Sequence, residues 1–134
     1  MTANFNPKAI LLDFYGTVVA DDTAVIEQIC NQIKESAPTP EGGQGIAKTW
    51  SRVFVRLCAD HFGPRFRSQR DLEIESLRLV LREYGCPLDP VALSRPLFDY
   101  WAAPGIYPES RGVLERFPLP VCLVSNRRIQ TRDA

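Results

Sequence analysis

The sequence predicts an α/β chain in which a two-stranded parallel sheet is interrupted by a long, inserted α-helical bundle. Three observations predict it. The apolar run Ala9-Ile-Leu-Leu12 stops at Asp13, and Gly16 and Thr17 follow at once. A second apolar run, Leu119-Pro-Val-Cys-Leu-Val124, stops at Ser125-Asn126. Between them lie segments with the periodicity of amphipathic helices. Short apolar runs bounded by turn residues read as strands buried on both faces. Strands joined by so long a crossover pair in parallel.

Each element has a local reason. Asp13 closes the first strand, and Gly16 permits a tight turn after it. Asp21 and Asp22 are placed to cap a helix that runs to about Ala37 on a stripe of Val25, Ile26, Ile29, Cys30 and Ile33. Pro38-Thr-Pro-Glu-Gly-Gly-Gln-Gly45 breaks the pattern. Its glycines follow a helix rather than a strand, so they read as a flexible connection and not as a phosphate loop. The second helix carries Trp50, Val53, Phe54, Leu57, Cys58 and Phe62 on one face, and Gly63-Pro64 ends it. His61, the only histidine, sits where an imidazole can bond the last carbonyls. A third helix spans about Arg70 to Tyr84, with Leu77, Val80, Leu81 and Tyr84 inward and Gly85 as its stop. Asp89-Pro90 has the form of an N-cap and first helical residue. The fourth helix is lined by Leu93, Leu97, Phe98 and Trp101, and Pro96 is expected to kink it or delay its start. Pro108 opens a short helix that Pro118 closes before the second strand. The expected division is residues 1–20 for the first strand and turn, 21–104 for the bundle, and 105–134 for the return to the sheet.

Bulk properties narrow the function. The 134 residues carry 16 basic and 16 acidic side chains and no net charge. That removes any global attraction to nucleic acid or to an acidic membrane. No apolar stretch approaches the ~20 residues that cross a bilayer, and the first residues lack a basic-then-apolar export pattern. The expectation is a cytoplasmic protein with neither nucleic-acid nor membrane partners. The four cysteines, at 30, 58, 86 and 122, form no C-x-x-C pair, so a zinc site is not expected. Those on apolar patterns are expected to be buried thiols.

Lys8-Ala-Ile-Leu-Leu-Asp13-Phe-Tyr-Gly-Thr17-Val18 resembles the first motif of the haloacid dehalogenase-like hydrolases, Asp-x-Asp-x-Thr/Val after a hydrophobic strand. Leu119 to Asn126 is similar to their second motif, and many members insert a helical cap between the two. The resemblance implies an incomplete Rossmann-like core of two strands with that cap inserted. It implies Asp13 as a nucleophile that forms a covalent intermediate on a small anionic substrate, in catalysis that divides one displacement into two steps. Ser125 would donate to the substrate anion, and Asn126 would orient the site. The amides of Phe14 and Tyr15 would face the anion as backbone nests do, with Thr17 and Arg52 also binding substrate. A turn residue would explain Asp13 alone, but not Asp13 together with Ser125-Asn126.

Tyr15 departs from the phosphatase form. There the second aspartate protonates the leaving oxygen, and a phenol with a pKa of about 10 is a poor acid at neutral pH. Asp-x-Tyr-Gly-Thr is similar to the branch that cleaves 2-haloacids, whose halide leaves without a proton. That branch implies no cofactor. A phosphatase acting on phosphate monoesters would imply Mg²⁺, with Asp13 and Tyr15 at the metal positions. The branch also holds the halide or the carboxylate with an arginine that directly follows an aromatic residue. Here Ser51 separates Trp50 from Arg52, and Arg56 shares the same face. The family's third motif is a lysine or arginine well beyond the second, and its fourth an acidic cluster after a later strand; the eight residues after Asn126 contain no lysine, and Asp133 is too close to stand for a residue of a later strand. The expectations are a truncated core and dimerisation or strand exchange over the exposed sheet. The alternative function is a catalytically incompetent fragment that acts as a binding or oligomerising module.

Overall fold

A computed structural model describes residues 6–125. Its elements run β1 (Ile10–Asp13), α1 (Thr23–Ser36), α2 (Gly43–Asp60), a 3₁₀ turn (Gly63–Arg65), α3 (Gln69–Glu83), α4 (Pro90–Ala102), α5 (Pro108–Arg116) and β2 (Val121–Val124). The chain forms two units. Asp22–Ala103 is the helical one, and Met1–Asp21 with Pro104–Ala134 forms the other.

In the second unit β1 and β2 pair in parallel, with Ile10 opposite Val121 and Asp13 opposite Val124. The turn after β1 is closed by its own backbone. Val18 and Val19 both donate to the Phe14 carbonyl, at 2.9 and 3.1 Å, and the Gly16 amide donates to Val19 at 2.8 Å. Gly16 takes φ +76°, the left-handed conformation that glycine adopts without a Cβ penalty. Val18 and Val19 are buried. Two further bonds, Ala20 to the Gly105 carbonyl and Tyr107 to the Val18 carbonyl, tie the returning chain beside this turn. The strands are not buried on both faces as their composition predicts. Leu11 is 71% exposed, and Leu123 and Val124 are about half exposed. Burial on both faces needs a packed layer on each side, and among the described residues nothing covers Leu11.

The helical unit has one apolar core, made by Ile29, Cys30 and Ile33 of α1, Ile46 and Trp50 of α2, Leu77, Val80 and Leu81 of α3, and Leu93 and Leu97 of α4. Its polar atoms are paired. Trp50 Nε1–H donates to Ser76 Oγ at 2.8 Å, and the Ser76 hydroxyl donates to the Glu73 carbonyl at 2.8 Å. Asp22 occupies the N-cap position of α1 but makes no side-chain cap. Its carboxylate instead accepts Trp101 Nε1–H at 2.8 Å.

Two expectations for α2 are corrected. Gly43 to Gly45 are not a flexible connection but the first turn of the helix. A Cβ on Gly43 would lie 2.9 Å from Asn31 Oδ1, and one on Gly45 2.9 Å from Glu41 Oε2. Glycine lets those polar side chains close on the helix start. At the other end, Cys58 and Phe62 are exposed rather than inward. The buried residues of α2, Ile46, Thr49 and Trp50, all lie in its first half.

The remaining boundaries follow their local chemistry. Ser68 Oγ accepts the Asp71 amide and caps α3. Gly85, at φ +61°, ends that helix, with Cys86 N–H bonded back to the Leu81 carbonyl at 2.8 Å. Asp89 Oδ2 accepts the Ala92 amide at 2.8 Å, so α4 starts at Pro90. Pro96 lies inside α4 and does not delay it.

Candidate functional site

Asp13 is the last residue of β1, and it is exposed. Carboxyl ends of parallel strands are where open α/β sheets bind ligands. Thr17 lies four residues on, across the Gly16 turn, and its hydroxyl donates to Asp13 Oδ2 at 3.3 Å. That is a long hydrogen bond, which orients more than it holds. Phe14 and Tyr15 open the turn and are half-buried, and Tyr15 bridges to Val19. The register brings in the second motif. Val124 is the partner of Asp13, and Ser125, exposed, follows it directly. Asp13, Phe14, Tyr15, Thr17 and Ser125 therefore share one end of one sheet. Asn126 lies outside the described residues.

Arg52 belongs to the helical unit. It is exposed on α2, and its guanidinium reaches Thr49 Oγ1 at 3.5 Å. Arg56 is exposed one turn further on. His61 Nδ1 lies 2.8 Å from the Leu57 carbonyl, the helix-end interaction its position predicts.

Two carboxylates escaped the sequence reading in any functional sense. Glu73 is 7% exposed, on the inward face of α3 between Leu72 and Leu77. Burial, and then the negative charge of Asp22, push its carboxyl up from 4.5 to about 7, although the nearby Ser76 and Trp50 pull it partly back. The signal was present: Glu73 stands four residues before Leu77 and seven before Val80, on the apolar stripe itself. Asp22 reads from sequence as a cap, and only the fold shows it bonded to Trp101.

Mg²⁺ is the ion that phosphatase chemistry would need. Among the described residues no group of three or more His, Cys, Asp or Glu side chains gathers. Tyr15 also places a phenol where a second carboxylate would stand. Among the described residues no helix is long and apolar enough to cross a membrane.

The chain pairs two parallel strands, ends the first on an aspartate and inserts a helical unit between them. No protein-family model and no curated protein sequence matches the chain. Solved structures do. A dehalogenase crystal structure is 16% identical with a TM-score of 0.54, over 94% of this chain and 54% of its own. The L-2-haloacid dehalogenase from Xanthobacter autotrophicus is 20% identical with a TM-score of 0.54, over 89% of this chain and 46% of its own. The same enzyme with chloropropionic acid covalently bound matches over the same shares at 19% identity and a TM-score of 0.54. At these identities the likeness establishes the fold. The chain spans about half the length of the structures it matches.

Proposed function

We propose that this chain carries the nucleophile of a haloacid dehalogenase-like hydrolase, acting on a small 2-haloacid. The observation that carries the reading is Asp13 at the carboxyl end of β1, with Thr17 bonded to its Oδ2 and Ser125 brought to the same end by the strand register. The covalent adduct in the Xanthobacter enzyme supports it by fold likeness.

Asp13 Oδ1, the oxygen not bonded to Thr17, attacks C2 of the haloacid. A C–O bond forms while the carbon–halogen bond breaks, and halide leaves with the bonding pair. Water then attacks the Asp13 ester carbonyl, releasing the 2-hydroxyacid and one proton and restoring the carboxylate. Ser125 and the amides of Phe14 and Tyr15 hold the substrate carboxylate. Tyr15 is the reason to favour halide over phosphate, because a phenol, a poor acid at neutral pH, stands two residues after Asp13.

The test is free halide and free phosphate release from 2-chloropropionate and from phosphate monoesters, with and without Mg²⁺, by this chain and by Asp13→Asn. Metal-independent halide release that the substitution abolishes is expected. Phosphate release that requires Mg²⁺ would move the reading to the phosphatase branch.

A second reading has its own observation. The exposed Leu11, Leu123 and Val124 suit a surface that another chain covers, either in a homodimer or by strand exchange. Absence of turnover with every substrate, together with a dimeric mass, would favour a binding or oligomerising module. A monomeric mass with a cooperative melt would count against it.

A further inference from the structure

The cations of this neutral chain are not spread evenly. From Arg52 to Arg70 there are five arginines and one acid, Asp60. Net neutrality argues against a global attraction to acidic partners, but it does not describe this stretch. Among the described residues no carboxylate forms an ion pair with any of the five. Arg52 reaches Thr49, and Arg70 lies over the Phe98 ring at 5.1 Å. Arg56 and Arg65 are exposed, and Arg67 is half-buried.

Apolar side chains stand out in the same place. Val55, Phe62 and Phe66 are 62%, 67% and 72% exposed, and among the described residues of the helical unit Val91 is the only other large apolar side chain so exposed. Arg52, Val55, Arg56 and Ala59 are all exposed and follow the i, i+3, i+4, i+7 spacing of one helix face. Phe62 and Phe66 flank the 3₁₀ turn that follows α2. The backbone of that turn is bonded to itself: Arg65 N–H donates to the Phe62 carbonyl at 3.2 Å, and Phe66 N–H to the Gly63 carbonyl at 3.1 Å. Ser68 then caps α3. The two rings are therefore carried on a hydrogen-bonded corner between two helices. Neither lines the cavity at Trp50 and Trp101 or the hollow beside Asn31 and Gly43. Small ligands bind in concave sites, whereas protruding rings suit a soft apolar phase that closes round them.

We propose that this corner of the helical unit docks on an anionic lipid bilayer surface. Phe62 and Phe66 enter the boundary between headgroups and acyl chains, and Arg56 and Arg65 face the lipid phosphates and carboxylates. Interfacial binding of this kind adds buried apolar area to attraction for anionic lipid, and it needs no spanning helix. Asp60, exposed in the same stretch, is the one acid that opposes it. Lipid is favoured over single-stranded nucleic acid because the latter is held in a basic groove lined by aromatic rings, and these rings line none of the hollows above. The surface is independent of Asp13 chemistry, and its test involves no turnover.

The full chain is sedimented with vesicles of phosphatidylcholine alone and of an equimolar mixture of phosphatidylcholine and phosphatidylserine. Co-sedimentation with the mixture alone, lost in high salt, is expected. Phe62→Ser with Phe66→Ser keeps every charge and is expected to weaken binding about tenfold. Arg56→Gln with Arg65→Gln is expected to weaken it by about the same factor. Both pairs should keep the parent's far-ultraviolet circular dichroism spectrum, and Leu11→Ser, on the sheet, should bind as the parent does. No co-sedimentation, equal binding to both vesicles, full binding by the phenylalanine pair or loss of binding in Leu11→Ser would overturn the proposal. Displacement from the mixed vesicles by a thymidine oligonucleotide would also overturn it and make the arginines a nucleic-acid surface.

Discussion

Single side chains set the sharpest expectations. The Glu73 carboxyl loses its proton near 4.5 when the chain is unfolded and near 7 when it is folded. Between those values the folded state holds the extra proton, so stability falls as pH rises through that window. The penalty is complete above about pH 7 and amounts to roughly 3 kcal/mol at most. Glu73→Gln should therefore melt close to the parent near pH 4.5 and increasingly above it toward pH 8; parallel melting curves across that range would refute the assignment. Trp50→Phe removes the donor to buried Ser76 while keeping most of the ring. It should cost about 1–3 kcal/mol in urea unfolding. Residue chemistry was only partly legible in the sequence. Asp13 and Ser125 announce themselves because each ends an apolar run. Glu73 hides on an apolar stripe, where one acid looks like an interruption. The Trp101 bond to Asp22 spans 79 positions, and no local pattern encodes it.

Elements were legible where backbone chemistry punctuates them. Gly85 and Asp89-Pro90 mark a helix end and a helix start, and the structure places both there. Ser68 shows how much such a cap contributes. Ser68→Ala should destabilise the helical unit by about 1 kcal/mol, read as a lower urea midpoint with an unchanged slope. Leu77→Ala, at the centre of the core, should cost about 2–5 kcal/mol. The start of α2 was illegible because glycine argues against a helix on propensity alone. At Gly43 the reason is tertiary, since Asn31 approaches where a side chain would otherwise stand, and at Gly45 it is local, since Glu41 four residues earlier does the same. The far end of α2 misled for a related reason. An apolar face continues through Phe62, and sequence periodicity does not say which of its turns a neighbour covers.

At the scale of the molecule, the order of strand, helices and strand was legible, as was the parallel pairing, because a long crossover leaves little alternative. The burial of the strands was not, since composition reports what a strand could bury and not what lies against it. Leu11 and Val124 are the measurable consequence. If another chain covers this sheet, Leu11→Lys with Val124→Lys should lower the mass seen by light scattering. A parent that is already monomeric, or a mass the substitutions leave unchanged, would rule that out.

The four cysteines divide in a way that offers a ruler. Cys30 and Cys86 are enclosed in the helical core, with the Cys30 thiol held up at about 11 by burial and by Glu27. Cys58 and Cys122 are exposed, one in each unit. A thiol-directed spin label should therefore modify one site on the helices and one on the sheet with no engineering. Pulsed dipolar spectroscopy on that pair would measure the separation between the two units directly, with and without a haloacid present.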